Sequence, residues 1–311
     1  MGRPGAECGE ISLGDPAYGG GPDRPGEELT IAVRGGRTAR RKLAVATWRG
    51  PRAGTLHARL EVDASPLLAY AERLTAVGGV PVRLVHVLGR ALALGLREVP
   101  AFNARVLLGR VVPHQRVDVG FAVDIRNGDD LAPVVLRDAD RLSTTKIAEL
   151  LDTAARTVRA GEDRAFATST RLVRIAPWWS VRPVLAVASL WNGGLGRAAF
   201  GQPGSPLGHA FVSNIGSLGL DEAYLAPVPF ARVPLYLAMG AVRDRPTVVD
   251  GALAVRPTFL LTATADHRVV DGAHAAALVA WFRTVLADPD RLDGGTAPPT
   301  ANRPRSPGQP T

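Results

Sequence analysis

Residues 263–272, Ala-Thr-Ala-Asp-His-Arg-Val-Val-Asp-Gly, hold the side chains best suited to moving a proton. An imidazole with its ordinary pKa near 6.5 is largely neutral at pH 7 and can accept one. The apolar, β-branched run from Pro257 to Thr264 precedes His267, and Ala273 to Ala287 follows with Leu278, Phe282 and Val285 at helical spacing. His267 is therefore expected at a strand-to-helix junction, where a side chain can face a cleft. A plainer reading fits the same spacing: Asp271 N-caps the helix and His267 decorates a turn. Ser213 offers a hydroxyl, which at a strand end can equally satisfy backbone groups. His57, His86, His114, His209 and His274 are scattered without metal-ligand spacing, so no metal is expected. Of these, His209 stands nearest Ser213, four residues before it. The glycines at 193–194 and 216–219 are followed by no lysine at phosphate-loop spacing.

The elements that must position these groups follow from periodicity. Thr55 to Val62 alternates as a strand. Asp63 and Ser65 can cap a helix from Pro66 to about Ala76, stopped by Gly78-Gly79. Val82 to Val99 reads as a buried helix ending before Pro100. A hairpin is expected around Gly109-Arg110, strands at Val117 to Ile125 and Ala132 to Leu136, and a helix capped by Ser143. Ala210 to Asn214, Pro234 to Val242 and Pro257 to Thr264 read as strands, with a hairpin turning at Asp250-Gly251. Short turns join most strand pairs. That predicts an α/β (α+β) two-layer sandwich, a mixed and largely antiparallel sheet packed with helices. In 161–207, one or two apolar helices broken by prolines are expected, with Gly193-Gly194 in a loop.

Composition bounds the function. Of 311 residues, 46% are hydrophobic, enough for a sizeable core. Cys8 is the one cysteine, so neither a disulfide framework nor a cysteine zinc site can form, which suits a cytoplasmic location. The net charge is +8, but the arginines are dispersed and aromatics reach only 5%, so no nucleic-acid partner is expected. An anionic cofactor fits the charge. The most apolar window, Ile175 to Trp191, is interrupted by Pro177, Arg182 and Pro183 and is shorter than the ~20 residues of a membrane span. Residues 1–28 and 295–311 are Gly/Pro-rich without periodicity and are expected to be a disordered leader and tail around a catalytic body at 29–294.

Asp266 to Gly272 resembles the active-site signature of the acyltransferase component of 2-oxo-acid dehydrogenase complexes, which shares its fold with chloramphenicol acetyltransferase. Four more stretches occur in that family's order: Arg97 to Asn103, Val117 to Asp140, Phe211 to Leu218, and Gly240 to Pro246 with Asp250-Gly251 and Arg256-Pro257. Together they cover about 40–290. The resemblance implies acyl transfer from a thioester, which needs a base for the weak nucleophile and a donor for the tetrahedral oxyanion. His267 takes the base position and Ser213 the oxyanion position. Asp271 takes a position that braces the histidine loop against an arginine, for which Arg40 and Arg41 are the candidates. Asn214, Arg268 and Gly272 complete the supporting set. A coenzyme A thioester, acetyl-coenzyme A above all, is the implied co-substrate, and a homotrimer with active sites between subunits is the implied assembly.

No lipoyl domain is recognisable, so the chain is expected to carry no lipoyl group of its own. The segment 161–207 is longer than the family's link and carries Trp178, Trp179 and Trp191. These departures favour a small-molecule hydroxyl as acceptor, as in natural-product (tetronate) biosynthesis. Two alternatives stand beside that reading: a dihydrolipoamide acyltransferase serving a lipoyl group in trans, and a non-catalytic trimeric scaffold.

Overall fold

The computed structural model describes residues 54–124, 131–159, 177–198, 204–249 and 251–294. Its centre is a seven-stranded sheet in the order β1-β9-β7-β6-β4-β5, with β8 added on β9. The strands are β1 (Thr55–Asp63), β4 (Val119–Asp124), β5 (Leu131–Leu136), β6 (Ala210–Asn214), β7 (Leu235–Met239), β8 (Arg243–Val249) and β9 (Ala252–Asp266). β6 lies parallel to both β4 and β7, and the remaining pairs are antiparallel. β2 (Ala104–Leu107) and β3 (Arg110–Pro113) form a separate hairpin. The expected mixed, largely antiparallel sheet packed with helices is what the chain builds. Pro133 sits on β5, the edge strand among the described residues, where its missing N–H costs no ladder bond to a further described strand.

One face of the sheet carries the helices α1 (Ser65–Gly78), α2 (Leu84–Glu98), α3 (Thr144–Arg159) and α5 (Gly272–Ala287). Helix α2 is the hub and packs against α1, α3, α5, β4 and β6. Leu88, Leu92 and Leu96 recur at i, i+4 and i+8 and are fully buried, each worth roughly 1.5–3 kcal/mol of transfer free energy. Gly89 lets α2 approach β4: a Cβ there would stand 2.3 Å from the Phe121 ring. Gly79 ends α1 in the left-handed region, φ 69°, with its N–H on the Thr75 carbonyl. In β9 the pleat sends Phe259, Leu261 and Ala265 into this core and Thr258, Thr262 and Thr264 to the other face. Residues 219–233 cross that second face, held where Thr262 donates to the Ala223 carbonyl (2.5 Å) and where Val228 N–H meets the Tyr236 hydroxyl (3.0 Å).

Three expectations need correction. Pro183 does not break its helix: α4 runs Trp178–Ala188 through it. Gly193 and Gly194 are not in a loop but close a π turn, Ser189–Gly194, that continues α4. Strand β9 also begins before Pro257, because the hairpin partner β8 extends the ladder back to Ala252. The expected leader, the tail, Arg40, Arg41, Thr170 to Val173 and Asp250 lie outside the described residues.

Candidate active site

His267 follows the last residue of β9, at the junction its flanking pattern predicts. Its backbone N–H is tied to the Gly54 carbonyl (3.0 Å), and the preceding Asp266 N–H to the Pro234 carbonyl (2.9 Å). The turn beyond closes on itself: Val269 and Val270 N–H both reach the Asp266 carbonyl, at 2.9 and 3.2 Å. Val270 is 2% exposed and pins the turn to the core. This places the Val270 carbonyl 2.8 Å from His267 Nδ1. A carbonyl can only accept, so in the neutral ring Nδ1 carries the proton and Nε2 keeps its lone pair. The ring is therefore set as a base at Nε2, on an exposed side chain.

Asp271 caps α5. Its carboxylate accepts from Ala273 N–H (3.0 Å) and His274 N–H (3.1 Å) and lies 2.6 Å from His274 Nδ1. Hydrogen bonding to the backbone of His274, with His274 itself beside it, holds the carboxyl below its ordinary pKa. The plainer reading of Asp271 is what the described residues show, and the candidate partners Arg40 and Arg41 lie outside them. Arg268 turns back onto Asp266, with contacts of 2.6–3.1 Å to both carboxylate oxygens. Arg268 is among the expected supporting residues, whereas its partner Asp266 and the Gly54 carbonyl are additions from the structure. The two-residue spacing of opposite charges was the available signal for the pair, whereas nothing local marks Gly54. A Cβ at Gly272 would meet nothing within 4 Å, so this chain alone sets no steric demand for glycine there.

Ser213 lies on β6 with its neighbours Val212 in the helix-covered core and Asn214 at the strand end. It is 6% exposed, and its hydroxyl has no hydrogen-bond partner among the described residues. The Asn214 side-chain oxygen is buried and likewise unpartnered there. A cavity of about 270 Å³ opens beside both, reaching Arg83, His86 and Asp152. Burial, then the Arg83 charge, pushes the His86 imidazole down to about 4, so it is a neutral polar group in that wall.

One chain does not bring base and serine together. Ser213 stands opposite Ala238 on β7, and Ala238 opposite Thr262 on β9. His267 is five residues beyond Thr262, one past the end of β9, so at ~3.3 Å per residue and ~4.8 Å per strand the two lie roughly 19 Å apart. No described cavity spans that distance.

A sequence profile of the 2-oxoacid dehydrogenases acyltransferase (catalytic domain) family matches residues 37–166 and 207–293. The chain belongs to that family. A dihydrolipoyllysine-residue succinyltransferase component of the 2-oxoglutarate dehydrogenase complex of Bartonella vinsonii subsp. berkhoffii is 27% identical over 238 residues, 75% of this chain and 47% of that one. The chain thus spans about half the length of the curated relatives it matches. Among solved structures, a probable dihydrolipoamide acetyltransferase of Listeria monocytogenes has a TM-score of 0.60 at 19% identity, over 86% of this chain and 96% of that one. Azotobacter vinelandii dihydrolipoamide acetyltransferase gives 0.58 at 21% identity, over 82% and 89%. These likenesses carry the acyltransferase fold. The profile skips 167–206, which holds α4 and its π turn.

The curated relatives overturn the expected small-molecule hydroxyl acceptor and the tetronate pathway: they are named dihydrolipoyllysine-residue succinyltransferase components of 2-oxoglutarate dehydrogenase complexes. The physical reason is plain. Base and oxyanion donor serve any thioester and nucleophile, so they do not mark a hydroxyl acceptor. A lipoyl group can also arrive on another chain, so the want of a recognisable lipoyl segment does not exclude it. No described helix is long and apolar enough to cross a membrane.

Proposed function

We propose that residues 29–294 form the catalytic domain of a dihydrolipoamide acyltransferase of the 2-oxoacid dehydrogenase type. It moves an acyl group between a dihydrolipoyl thiol, carried in trans, and coenzyme A. The observation that carries this reading is the bond from His267 Nδ1 to the Val270 carbonyl, which leaves Nε2 as the acceptor. His267 Nε2 takes the proton of the attacking thiol, and the thiolate adds to the thioester carbonyl carbon. The Ser213 hydroxyl donates to the resulting oxyanion. Collapse breaks the original C–S bond, and the leaving thiolate recovers the proton from His267.

The roughly 19 Å between the two groups supports an active site shared between copies, with His267 from one and Ser213 from the next. A homotrimer meets that requirement through one repeated interface. Asp271 acts by fixing the N-terminus of α5 directly behind the histidine turn. In the Azotobacter enzyme a serine, a histidine and an asparagine have been investigated for their role in the catalytic mechanism, with the same four-residue step from histidine to amide that separates His267 from Asp271. The test is acyl transfer from acetyl- or succinyl-coenzyme A to free dihydrolipoamide, followed as thioester formation. Turnover by the wild-type chain and its loss in His267→Ala support the reading. Absence of wild-type turnover, or turnover unchanged by His267→Ala, would sink it.

A further inference from the structure

Three guanidiniums gather around the histidine loop, and the described residues give them one carboxylate. Arg268 is paired with Asp266. Arg232 stands two residues before Pro234, whose carbonyl receives the Asp266 N–H. Its Nε donates to the Ser189 hydroxyl (3.1 Å) and its Nη1 to the Val106 carbonyl (2.7 Å). Arg105 donates from Nε to the Gly194 carbonyl (2.8 Å), and its Nη1 lies 2.7 Å from His114 Nδ1. Every one of these partners is neutral. No carboxylate among the described residues pairs with Arg105 or Arg232, though both are half-buried.

That arrangement is costly without an anion. A guanidinium stays charged in a protein, and burying it beside like charge loses solvation without Coulombic return. Burial, then the Arg268 and Arg105 charges, depresses Arg232 below the usual arginine range. Burial does the same to Arg105. The backbone adds a second cost at the same place. Arg232 sits at φ 56°, the left-handed region, which a residue with a Cβ enters only against steric strain. Both arginines also grip the Ser189–Gly194 turn, which the family profile does not match.

We propose that Arg105 and Arg232 form an oxyanion-binding subsite at the mouth of the His267 half-site, which engages either a phosphate of coenzyme A or the free carboxylate of a dicarboxylic acyl group. The bonds described above use Nε and Nη1 of each guanidinium, so the Nη2 edges are the ones offered to the anion. The turn carrying Ser189 and Gly194 orients the two forks and so gives the extra segment a role in substrate choice. The identity of the thioester rests on the function proposed above, but the subsite itself is read by binding and not by turnover.

The experiment is isothermal titration of the full-length chain with coenzyme A, pantetheine, S-acetylpantetheine and S-succinylpantetheine. The variant is Arg105→Gln with Arg232→Asn, since Asn tolerates the left-handed backbone. Its melting temperature and sedimentation are measured alongside. If phosphate is the anion, the variant loses roughly 10- to 100-fold affinity for coenzyme A and keeps its affinity for pantetheine. If carboxylate is the anion, the same loss falls on S-succinylpantetheine and spares S-acetylpantetheine. Binding of all four ligands unchanged overturns the proposal, as does failure of the wild-type chain to bind any of them. An equal loss for all four, together with a lower melting temperature, also overturns it, because the arginines are then anchors for the turn and nothing more. A chain that shows the charge-dependent loss but transfers no acyl group keeps this inference and removes the function.

Discussion

His267 Nδ1 and the Val270 carbonyl oxygen stand 2.8 Å apart within one five-residue turn. The bond fixes both the tautomer and the direction of the ring without a second side chain. Because Nε2 is the proton acceptor in that tautomer, His267→Ala and His267→Gln are both expected to lower kcat by about 10²–10⁴. KM for coenzyme A should change little, since the ring acts in the transition state. Steady-state thioester assays on both variants check this; a loss expressed wholly in KM would reassign His267 to binding.

Ser213 is expected to act only on the oxyanion. Ser213→Ala therefore keeps substrate affinity and loses about 10²–10³ in kcat. Its hydroxyl has no partner to abandon among the described residues, so the melting temperature should stay within about 1 °C, as for a change that removes no packed group. Calorimetric binding and thermal melts of the variant separate the two effects.

The separation of the two groups makes a sharper test. Chains carrying Ser213→Ala and chains carrying His267→Ala are each nearly inactive. Co-expressed in equal amounts, they form assemblies in which a histidine-intact copy meets a serine-intact neighbour. Random mixing gives about a quarter of sites both groups, so about a quarter of wild-type activity returns if the site lies between copies of a closed ring. An activity no higher than the sum of the two separate variants would show that each chain supplies its own pair.

Much of this architecture is legible in the sequence because local pattern decides it. The alternation of β1, the i, i+4 leucines of α2 and the capping Asp271 each declare an element within a few residues. The junction at His267 is readable for the same reason. The distance from His267 to Ser213 is not, because it is set by strand order and register across β6, β7 and β9. The π turn at Ser189–Gly194 is hidden more deeply. Its glycines look like a loop locally, while Arg105 and Arg232, remote in sequence, supply the donors that hold it. Pro183 misleads in the same way: its missing N–H reads as a break, yet the helix runs through it.

Acid should unfold this protein through its buried imidazoles. His86 is 8% exposed and pushed down to about 4 by burial and Arg83. Burial also lowers His114 and His209, which stack at 3.5 Å, so that a charge on either would repel the other. A depressed folded-state pKa means that the unfolded chain binds the proton first. The stability due to His86 is therefore complete above about pH 6.5 and is lost as pH falls toward 4, on the order of 3 kcal/mol over that window. Urea unfolding at pH 7.5, 6 and 5 should show falling midpoints. His86→Gln should flatten part of that slope, since its amide oxygen can accept the Arg83 N–H that Nδ1 now accepts (3.1 Å). A midpoint independent of pH across that range would show that the imidazole is not buried neutral.

Gly89 couples the helix layer to the serine. The Cβ of Gly89→Ala would lie 2.3 and 2.5 Å from two carbons of the Phe121 ring, so the ring or the helix must move. Phe121 is 2% exposed and lines the cavity beside Ser213, so the ring can shift only toward that site. Overpacking of this kind costs about 1–3 kcal/mol, and the better helix propensity of Ala returns at most about 1. The net expectation is a loss of about 1–2 kcal/mol, read as a melting temperature lower by roughly 2–8 °C. The consequence for catalysis follows from register. Phe121 on β4 stands opposite Val212 on β6, the residue before Ser213, so strain at the ring displaces the oxyanion donor. Gly89→Ala should thus lower kcat while leaving the His267 loop intact. Phe121→Leu in the same chain makes room for the added methyl and should restore much of both stability and kcat. A double-mutant cycle with near-zero coupling would show that the close approach of α2 to β4 does not set the position of Ser213.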